Sequence, residues 1–177
     1  MSRLSVILAI IAFLLATKCP DVCGRDEALI KEVCKDTPHP DFCKLCMREE
    51  PKHDLMDPIE VGRASTECSI KKTFRVDLDL DDIAEGSIDV QVRDVCLTCK
   101  AFMKKAVQSL DAAQRHLDGK RFRDATNVAG EARDYHRKCT ELIQGVKDFP
   151  VTGTFNIDFE ILRRFYINVV AILSQLE

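Results

Sequence analysis

The chain has 177 residues, with 26 lysines and arginines against 29 aspartates and glutamates, and a formal net charge of −3. This mildly acidic balance, with no basic stretch interleaved with aromatic residues, argues against nucleic-acid binding. The sequence has no tryptophan and two tyrosines, so the stacking side chains that carbohydrate sites usually use are scarce. The nine cysteines are the most informative part of the composition.

The N-terminal residues predict a secretory signal peptide. Arg3 precedes an apolar run, Leu4–Ala16, which is shorter than the roughly 20 apolar residues of a membrane span. We expect cleavage after Gly24, which gives a signal peptide over 1–24 and one secreted domain over 25–177 with no membrane attachment. Small residues also permit cleavage at two earlier positions, after Ala16 or after Cys19. Because oxidising compartments preserve disulfides, the remaining cysteines are candidates for pairing.

A short hairpin is predicted at the start of the mature chain. Cys34 and Cys43 enclose a segment that contains Pro38 and Pro40. Two prolines so close together force a sharp reversal between the short apolar segments on either side. We therefore expect a stapled helical hairpin over 25–50.

Long amphipathic helices are predicted for most of the remaining chain. Apolar residues recur in steps of three and four along the segments Val95–Leu117, Phe122–Val146 and Phe159–Leu176. Gly119 and Gly145 lie where glycines end helices. An earlier helix is expected to begin at an N-cap and a first-turn proline, namely Asp57 and Pro58.

The acidic stretch Asp77–Asp82 interrupts the weaker apolar stripe of that earlier helix. We interpret it as a solvated turn, with the next helix opening at 85–87. Four long helices with short connections then predict an all-α fold, an up-and-down antiparallel four-helix bundle over 57–177 with the hairpin as an appendage. Cys99 and Cys139 are equidistant from Gly119, so an antiparallel pair of helices brings them level, which is where a disulfide can form.

Three further cysteines, Cys46, Cys68 and Cys96, allow more than one arrangement. The midpoint of Cys68 and Cys96 falls in the acidic stretch, so the same geometry permits a third disulfide between them. The alternative is that they are small buried thiols, and Cys46 is then the odd one. The two Cys-x-x-Cys pairs, Cys43 with Cys46 and Cys96 with Cys99, also match a four-thiolate zinc site, which we consider less favoured in a secreted chain.

Other functional patterns are weak. Asp77, Asp79 and Asp81 alternate as calcium ligands do, but Asp82 and Ile88 stand where the calcium loop requires glycine and glutamate. No nucleophile elbow or paired carboxylate motif occurs, so the sequence does not suggest an enzyme, a cofactor or a metal centre. The histidines show no ligand spacing and are expected at the surface; they are His39, His53, His116 and His136.

Four segments of the chain resemble one protein family. Ala28–Cys43, including Cys34-Lys-Asp-Thr-Pro-His-Pro-Asp-Phe-Cys43, is similar to the opening of the plant invertase and pectin methylesterase inhibitors. Cys99–Leu110 resembles the helix of the third family cysteine, and Phe122–Cys139 resembles the small-residue helix that ends in the fourth. Phe165–Leu173 resembles the terminal helix that contains an asparagine.

The resemblance implies a four-helix bundle with a helical hairpin, disulfides Cys34–Cys43 and Cys99–Cys139, no catalysis and no cofactor. Its members cover the substrate cleft of a secreted carbohydrate-active enzyme, which implies a one-to-one partner of that kind. The target is either pectin methylesterase or an acid invertase of the cell wall or vacuole. The corresponding location is the apoplast and cell wall, or the vacuole.

Two sets of residues are candidates for partner binding. The pectin methylesterase interpretation, which we favour, places a docking face on the helix after the third cysteine; its residues are Lys100, Ala101, Lys104, Lys105 and Gln108. Related inhibitors of that enzyme usually have acids there. The invertase alternative uses the turn before the fourth-cysteine helix, where the family has Pro-Lys-Phe and this chain has Lys120, Arg121 and Phe122. A second alternative is a non-inhibitory secreted binding protein on the same fold.

Overall fold

The computed structural model describes residues 27–50, 55, 57–150 and 153–177, so the predicted signal peptide over 1–24 lies outside the described residues. The described residues form six α-helices and no strand, which confirms the all-α prediction. The helices are α1 Glu27–Lys35, α2 Pro40–Glu49, α3 Pro58–Gly86, α4 Val90–Asp118, α5 Phe122–Gln144 and α6 Gly153–Ser174. No helix in this part of the chain is long and apolar enough to cross a membrane.

The four long helices pack as a closed ring in which each contacts two neighbours. Helix α4 packs between α3 and α5, and α6 closes the ring by packing against α5 and α3. Short connections between successive helices make neighbours antiparallel. Leu110, Leu162 and Tyr166 are completely buried in the centre. The hairpin of α1 and α2 packs on α3, and α2 also contacts α6.

The acidic stretch Asp77–Asp82 lies inside α3, so our interpretation of it as a turn is wrong. Leu80 within this stretch is completely buried, and the core therefore holds it in helix. Lys100 of α4 reaches across to two of its acids, because the Lys100 Nζ lies 3.9 Å from Asp77 Oδ2 and also contacts Asp81. The aspartates thus tie α3 to α4, and no group of three or more metal-ligating side chains occurs among the described residues.

The third disulfide joins Cys46 to Cys68, so the pairing of Cys68 with Cys96 that the sequence permitted is not the one formed. Cys96 is a buried free thiol, as the alternative interpretation had it, whereas Cys46 is not the odd cysteine. The error comes from the position of the turn between α3 and α4, which spans 87–89. In two antiparallel helices joined by a turn, two residues lie level when the mean of their residue numbers equals the number at the centre of the turn. Cys96 therefore lies level with about position 80, which is about 18 Å along the helix axis from Cys68.

Two other disulfides join Cys34 to Cys43 and Cys99 to Cys139, with Cα atoms 5.5 Å and 5.0 Å apart. The first closes the hairpin, and the second holds α4 level with α5. The four sulfur atoms considered for zinc are consequently divided among three disulfides and one free thiol. Thiolate ligation by that set is therefore excluded in this oxidised state.

The hairpin is fixed to the bundle by polar contacts as well as by Cys46–Cys68. The buried Asn168 side chain on α6 accepts a hydrogen bond from the His39 backbone N–H at 3.0 Å and donates one to the His39 carbonyl at 2.8 Å. Glu50, whose side chain is buried, pairs with Lys71 of α3 at 2.5 Å. The Asn168 amide thus satisfies both the N–H and the carbonyl of His39 at the turn of the hairpin.

His136 is buried between α5 and α6, so the expectation of a surface residue is wrong for this histidine. Its ring stacks on Phe159 at 4.1 Å and meets the edge of Tyr166. The Phe159 carbonyl can only accept, so His136 Nε2 donates the 2.9 Å hydrogen bond between them. Burial lowers the pKa of His136 to about 4. The other histidines differ: His39 and His116 are partly buried, and His53 lies outside the described residues.

Peptide mapping of the oxidised chain from residue 25, without reduction, is expected to recover Cys46 linked to Cys68. Burial raises the pKa of the Cys96 thiol to about 11, so Cys96 should react with iodoacetamide only after unfolding.

Replacing Cys46 and Cys68 together by serine should lower the free energy of unfolding by about 3 kcal/mol, because the Cys46–Cys68 bond closes a loop of 22 residues. Recovery of a Cys68–Cys96 peptide would contradict the observed pairing.

The stability of the protein is expected to fall as the pH drops from about 6.5 to about 4. The unfolded state binds a proton on His136 below its ordinary pKa of 6.5, whereas the folded state excludes that proton down to about pH 4. The contribution of His136 to the free energy of unfolding is therefore fully present above pH 6.5. It decreases by about 3 kcal/mol between pH 6.5 and pH 4. Urea denaturation at several pH values checks this, with His136→Phe as the variant that should lack this part of the pH dependence. Equal slopes for both proteins would contradict the assignment.

Candidate docking surfaces

Four of the five residues expected at the pectin methylesterase docking face line one groove between α3 and α4. The groove has a volume of about 510 Å³. Phe74 of α3 forms its opposite wall. The four residues, all on α4, are Lys100, Ala101, Lys104 and Gln108.

Exposed apolar side chains line this groove and continue one turn beyond it on each helix. Phe74 and Leu78 are 55% and 65% exposed and lie one turn apart on the same face of α3. Leu97, 59% exposed, precedes Ala101 by one turn on α4. We use the name apolar strip for Phe74, Leu78, Leu97 and Ala101. Large exposed apolar patches on soluble proteins commonly mark interaction sites.

The two lysines beside the apolar strip differ in whether an acidic side chain pairs with them. Lys100 is held by its hydrogen bond to Asp81, which raises the pKa of the lysine, and it also faces Asp77. Burial raises the pKa of the Asp77 carboxyl, partly offset by Lys100. Lys104 is exposed and makes no ion pair within the described part of the chain. The apolar strip is therefore bordered by Lys104, whose positive charge has no acidic partner among the described residues.

Lys105 lies on a different side of α4 from the rest of its set. Its Nζ is 5.8 Å from the centre of the Tyr135 ring on α5, and Lys138 Nζ is 5.2 Å from the same centre. Phe102 stacks on Tyr135 with ring centres 6.1 Å apart. This cluster is not visible as a basic stretch interleaved with aromatic residues in the sequence, because its members come from two helices. The signal that could have revealed it is symmetry about position 120 in the turn, since Lys105 and Tyr135 are each 15 residues from it and Phe102 and Lys138 are each 18 residues from it.

The turn between α4 and α5 presents the residues of the invertase alternative. The Lys120 N–H donates to the Leu117 carbonyl at 2.9 Å, and the Arg121 N–H donates to the His116 carbonyl at 2.8 Å, the pattern of a Schellman motif. Lys120 has a φ of 53° where such motifs favour glycine, although the sequence placed the glycine one residue earlier.

The side chains of this turn differ in exposure. Lys120 and Arg121 are exposed, whereas Phe122 is partly buried and packs on the core. Lys120 is about 24 Å along α4 from Lys104, at 1.5 Å per residue. The groove and the turn are therefore separate surfaces.

Comparisons with known proteins agree with this architecture. The sequence matches the family described as plant invertase/pectin methylesterase inhibitor over residues 28–172. A mutant form of a pectin methylesterase inhibitor from Arabidopsis has a similar structure, with a TM-score of 0.70, 14% sequence identity, and coverage of 84% of this chain and 97% of its own. A pectin methylesterase inhibitor from Arabidopsis thaliana gives a TM-score of 0.62 at 15% identity, with 86% and 98% covered. No curated protein sequence gave a significant match.

At these identities the structural likeness establishes the fold, while the sequence match extends over both the hairpin and the bundle. The chain thus belongs to the plant invertase/pectin methylesterase inhibitor family, whose members are inhibitors and not enzymes.

Proposed function

We propose that this protein inhibits pectin methylesterase by laying the apolar strip between α3 and α4 over the substrate cleft of that enzyme, in a one-to-one complex. The observation that carries this proposal is the groove itself. It gathers Ala101, Lys104 and Gln108 opposite the exposed Phe74. Buried aromatic anchors in the centre of an interface supply much of its binding free energy.

The groove is well suited to docking because its walls are already fixed. Cys99–Cys139 holds α4 against α5, and the contacts of Lys100 with Asp77 and Asp81 hold α4 against α3. A partner that binds such a surface loses little free energy in ordering it. Neither wall has to move before Phe74 is covered.

The proposed site of action is outside the cell. The predicted signal peptide over 1–24 would direct the chain to the secretory route, and cleavage after Gly24 would leave the domain 25–177. The three disulfides suit that oxidising environment. The cell wall is then where the inhibitor meets its enzyme.

One observation favours the invertase alternative. Lys120 adopts the left-handed backbone conformation, which costs a residue other than glycine about 1 kcal/mol. Strained residues of this kind often occur at functional sites, and Lys120 and Arg121 are both exposed. Phe122 supports this alternative less, because insertion of its ring into a partner would require it to leave the core.

Replacing the central aromatic of the strip tests the proposal. Phe74→Ala should weaken inhibition of pectin methylesterase about thirtyfold, equivalent to about 2 kcal/mol, because it removes an interface anchor. Leu45→Ala is the matched control, since Leu45 is an exposed apolar residue on α2, away from the groove. Steady-state inhibition assays with the oxidised protein give both values. Equal inhibition by the two variants would contradict docking through the strip.

The turn variants separate the two target enzymes. Lys120→Ala and Arg121→Ala should leave inhibition of pectin methylesterase unchanged, because the turn lies about 18 Å along α4 from Gln108, the nearest groove residue on that helix. If acid invertase is the target, these two variants should weaken its inhibition and Phe74→Ala should not. If the protein slows neither enzyme at micromolar concentration across acidic pH, both inhibitor hypotheses are excluded. The result would then favour a non-inhibitory binding protein.

A further inference from the structure

We propose that the face formed by α4 and α5 carries a second binding site, for an acidic polysaccharide of uronate units. The site consists of Lys105 and Phe102 on α4 with Tyr135 and Lys138 on α5, and we call it the lysine–tyrosine site. It goes beyond enzyme inhibition and does not depend on which enzyme is inhibited. Lys105 faces α5, whereas Ala101 and Lys104 line the groove with α3, so the apolar strip stays open when this site is filled.

The charges of the lysine–tyrosine site are the first argument. Both ammonium groups lie within 6 Å of the centre of one ring, at 5.8 Å for Lys105 and 5.2 Å for Lys138, so they are no more than about 11 Å apart. Neither lysine forms an ion pair with an acid among the described residues. Two like charges held over one ring repel each other, and an anion between them reduces that repulsion.

This arrangement differs from that of two other cations on the same helices. Lys100 contacts Asp77 and Asp81, and Arg137 of α5 pairs with Glu141 at 2.7 Å. Those charges are already compensated within the protein. Lys105 and Lys138 instead direct their ammonium groups toward an aromatic ring, which leaves positive charge available to a ligand.

The rigidity of the site is the second argument. Tyr135 and Lys138 lie within the turn of α5 that ends at Cys139, and Phe102 lies one turn after Cys99 on α4. The disulfide between these cysteines therefore fixes the register of the two helices that carry the lysines. The stacked pair of Phe102 and Tyr135, with planes inclined by 24°, forms a firm floor.

The combination of groups selects the class of ligand. Lysines recognise carboxylates, an aromatic ring offers a surface for the C–H face of a sugar, and the tyrosine hydroxyl can donate or accept a hydrogen bond. A uronate unit carries a carboxylate and an apolar ring face together. A chain of such units presents successive carboxylates, so two lysines at a fixed spacing are engaged by one molecule and gain from multivalency.

The experiment measures binding of the folded, oxidised chain from residue 25 to immobilised polygalacturonate at low salt, with dextran as the neutral control polymer. We expect binding that weakens as salt is added and no binding to dextran. Lys105→Gln and Lys138→Gln should each reduce affinity about two- to fivefold, and the double variant about tenfold. Lys31→Gln is the matched control, because Lys31 is an exposed lysine on α1. Thermal unfolding followed by circular dichroism checks that each variant is folded.

The ring contact has its own comparison. Tyr135→Phe keeps the ring and should retain most of the affinity, whereas Tyr135→Leu should reduce it at least as much as loss of one lysine. Unchanged affinity of Tyr135→Leu, or of both lysine variants, would overturn the proposal. Equal loss in Lys31→Gln, absence of binding to polygalacturonate, or equally strong binding to polyglutamate would overturn it as well, the last because it indicates an acidic protein segment as the ligand.

Discussion

Both candidate surfaces on α4 depend on the register between this helix and its two neighbours. The Cys99–Cys139 bond sets the register with α5, and the contacts of Lys100 with Asp77 and Asp81 set it with α3. A slip of one turn would displace facing residues by about 5.4 Å. Such a slip would separate the walls of the groove and would also take the two lysines away from the same ring. The Cys99–Cys139 bond and the Lys100 side chain therefore hold together residues of α3, α4 and α5 that are far apart in the sequence.

The hairpin of α1 and α2 is joined to the bundle by contacts that the disulfides Cys34–Cys43 and Cys99–Cys139 do not provide. Cys46–Cys68 adds a covalent link between α2 and α3, and the Asn168 amide satisfies the backbone at the turn of the hairpin. The Arg164 guanidinium of α6 also lies 4.8 Å from the centre of the Phe42 ring. These contacts come from both α3 and α6, so the hairpin is attached to two helices of the bundle at once. A rigid scaffold reduces the ordering cost of binding at any of its faces.

Sequence patterns predicted the parts of the fold that depend on local spacing. Apolar residues at steps of three and four located the long helices, and the symmetry of Cys99 and Cys139 about Gly119 anticipated how α4 and α5 align. The acidic stretch Asp77–Asp82 misled the prediction because Leu80 within it is buried in the core and because Lys100, a residue of another helix, pairs with two of its four aspartates. The misplaced turn then produced the wrong partner for Cys68.

The candidate sites were less predictable because they combine residues from different helices. Lys105 was grouped with Lys104 by sequence, but successive residues of a helix point about 100° apart, and only one of the two faces the groove. Phe74 was not recognised as a groove residue, since exposure cannot be read from an apolar side chain at helical spacing. His136 is buried because the Phe159 carbonyl, remote in sequence, satisfies its ring N–H.

Docking through the strip is tested most directly by hydroxyl-radical footprinting of the inhibitor alone and in its complex with pectin methylesterase. Exposed apolar side chains are oxidised in the free protein and are protected where a partner covers them. Protection of Phe74, Leu78 and Leu97, with unchanged oxidation of Leu45 and of the turn at 120–122, is the result that docking through the groove predicts. Unchanged oxidation of the three strip residues in a complex that protects the turn would contradict it.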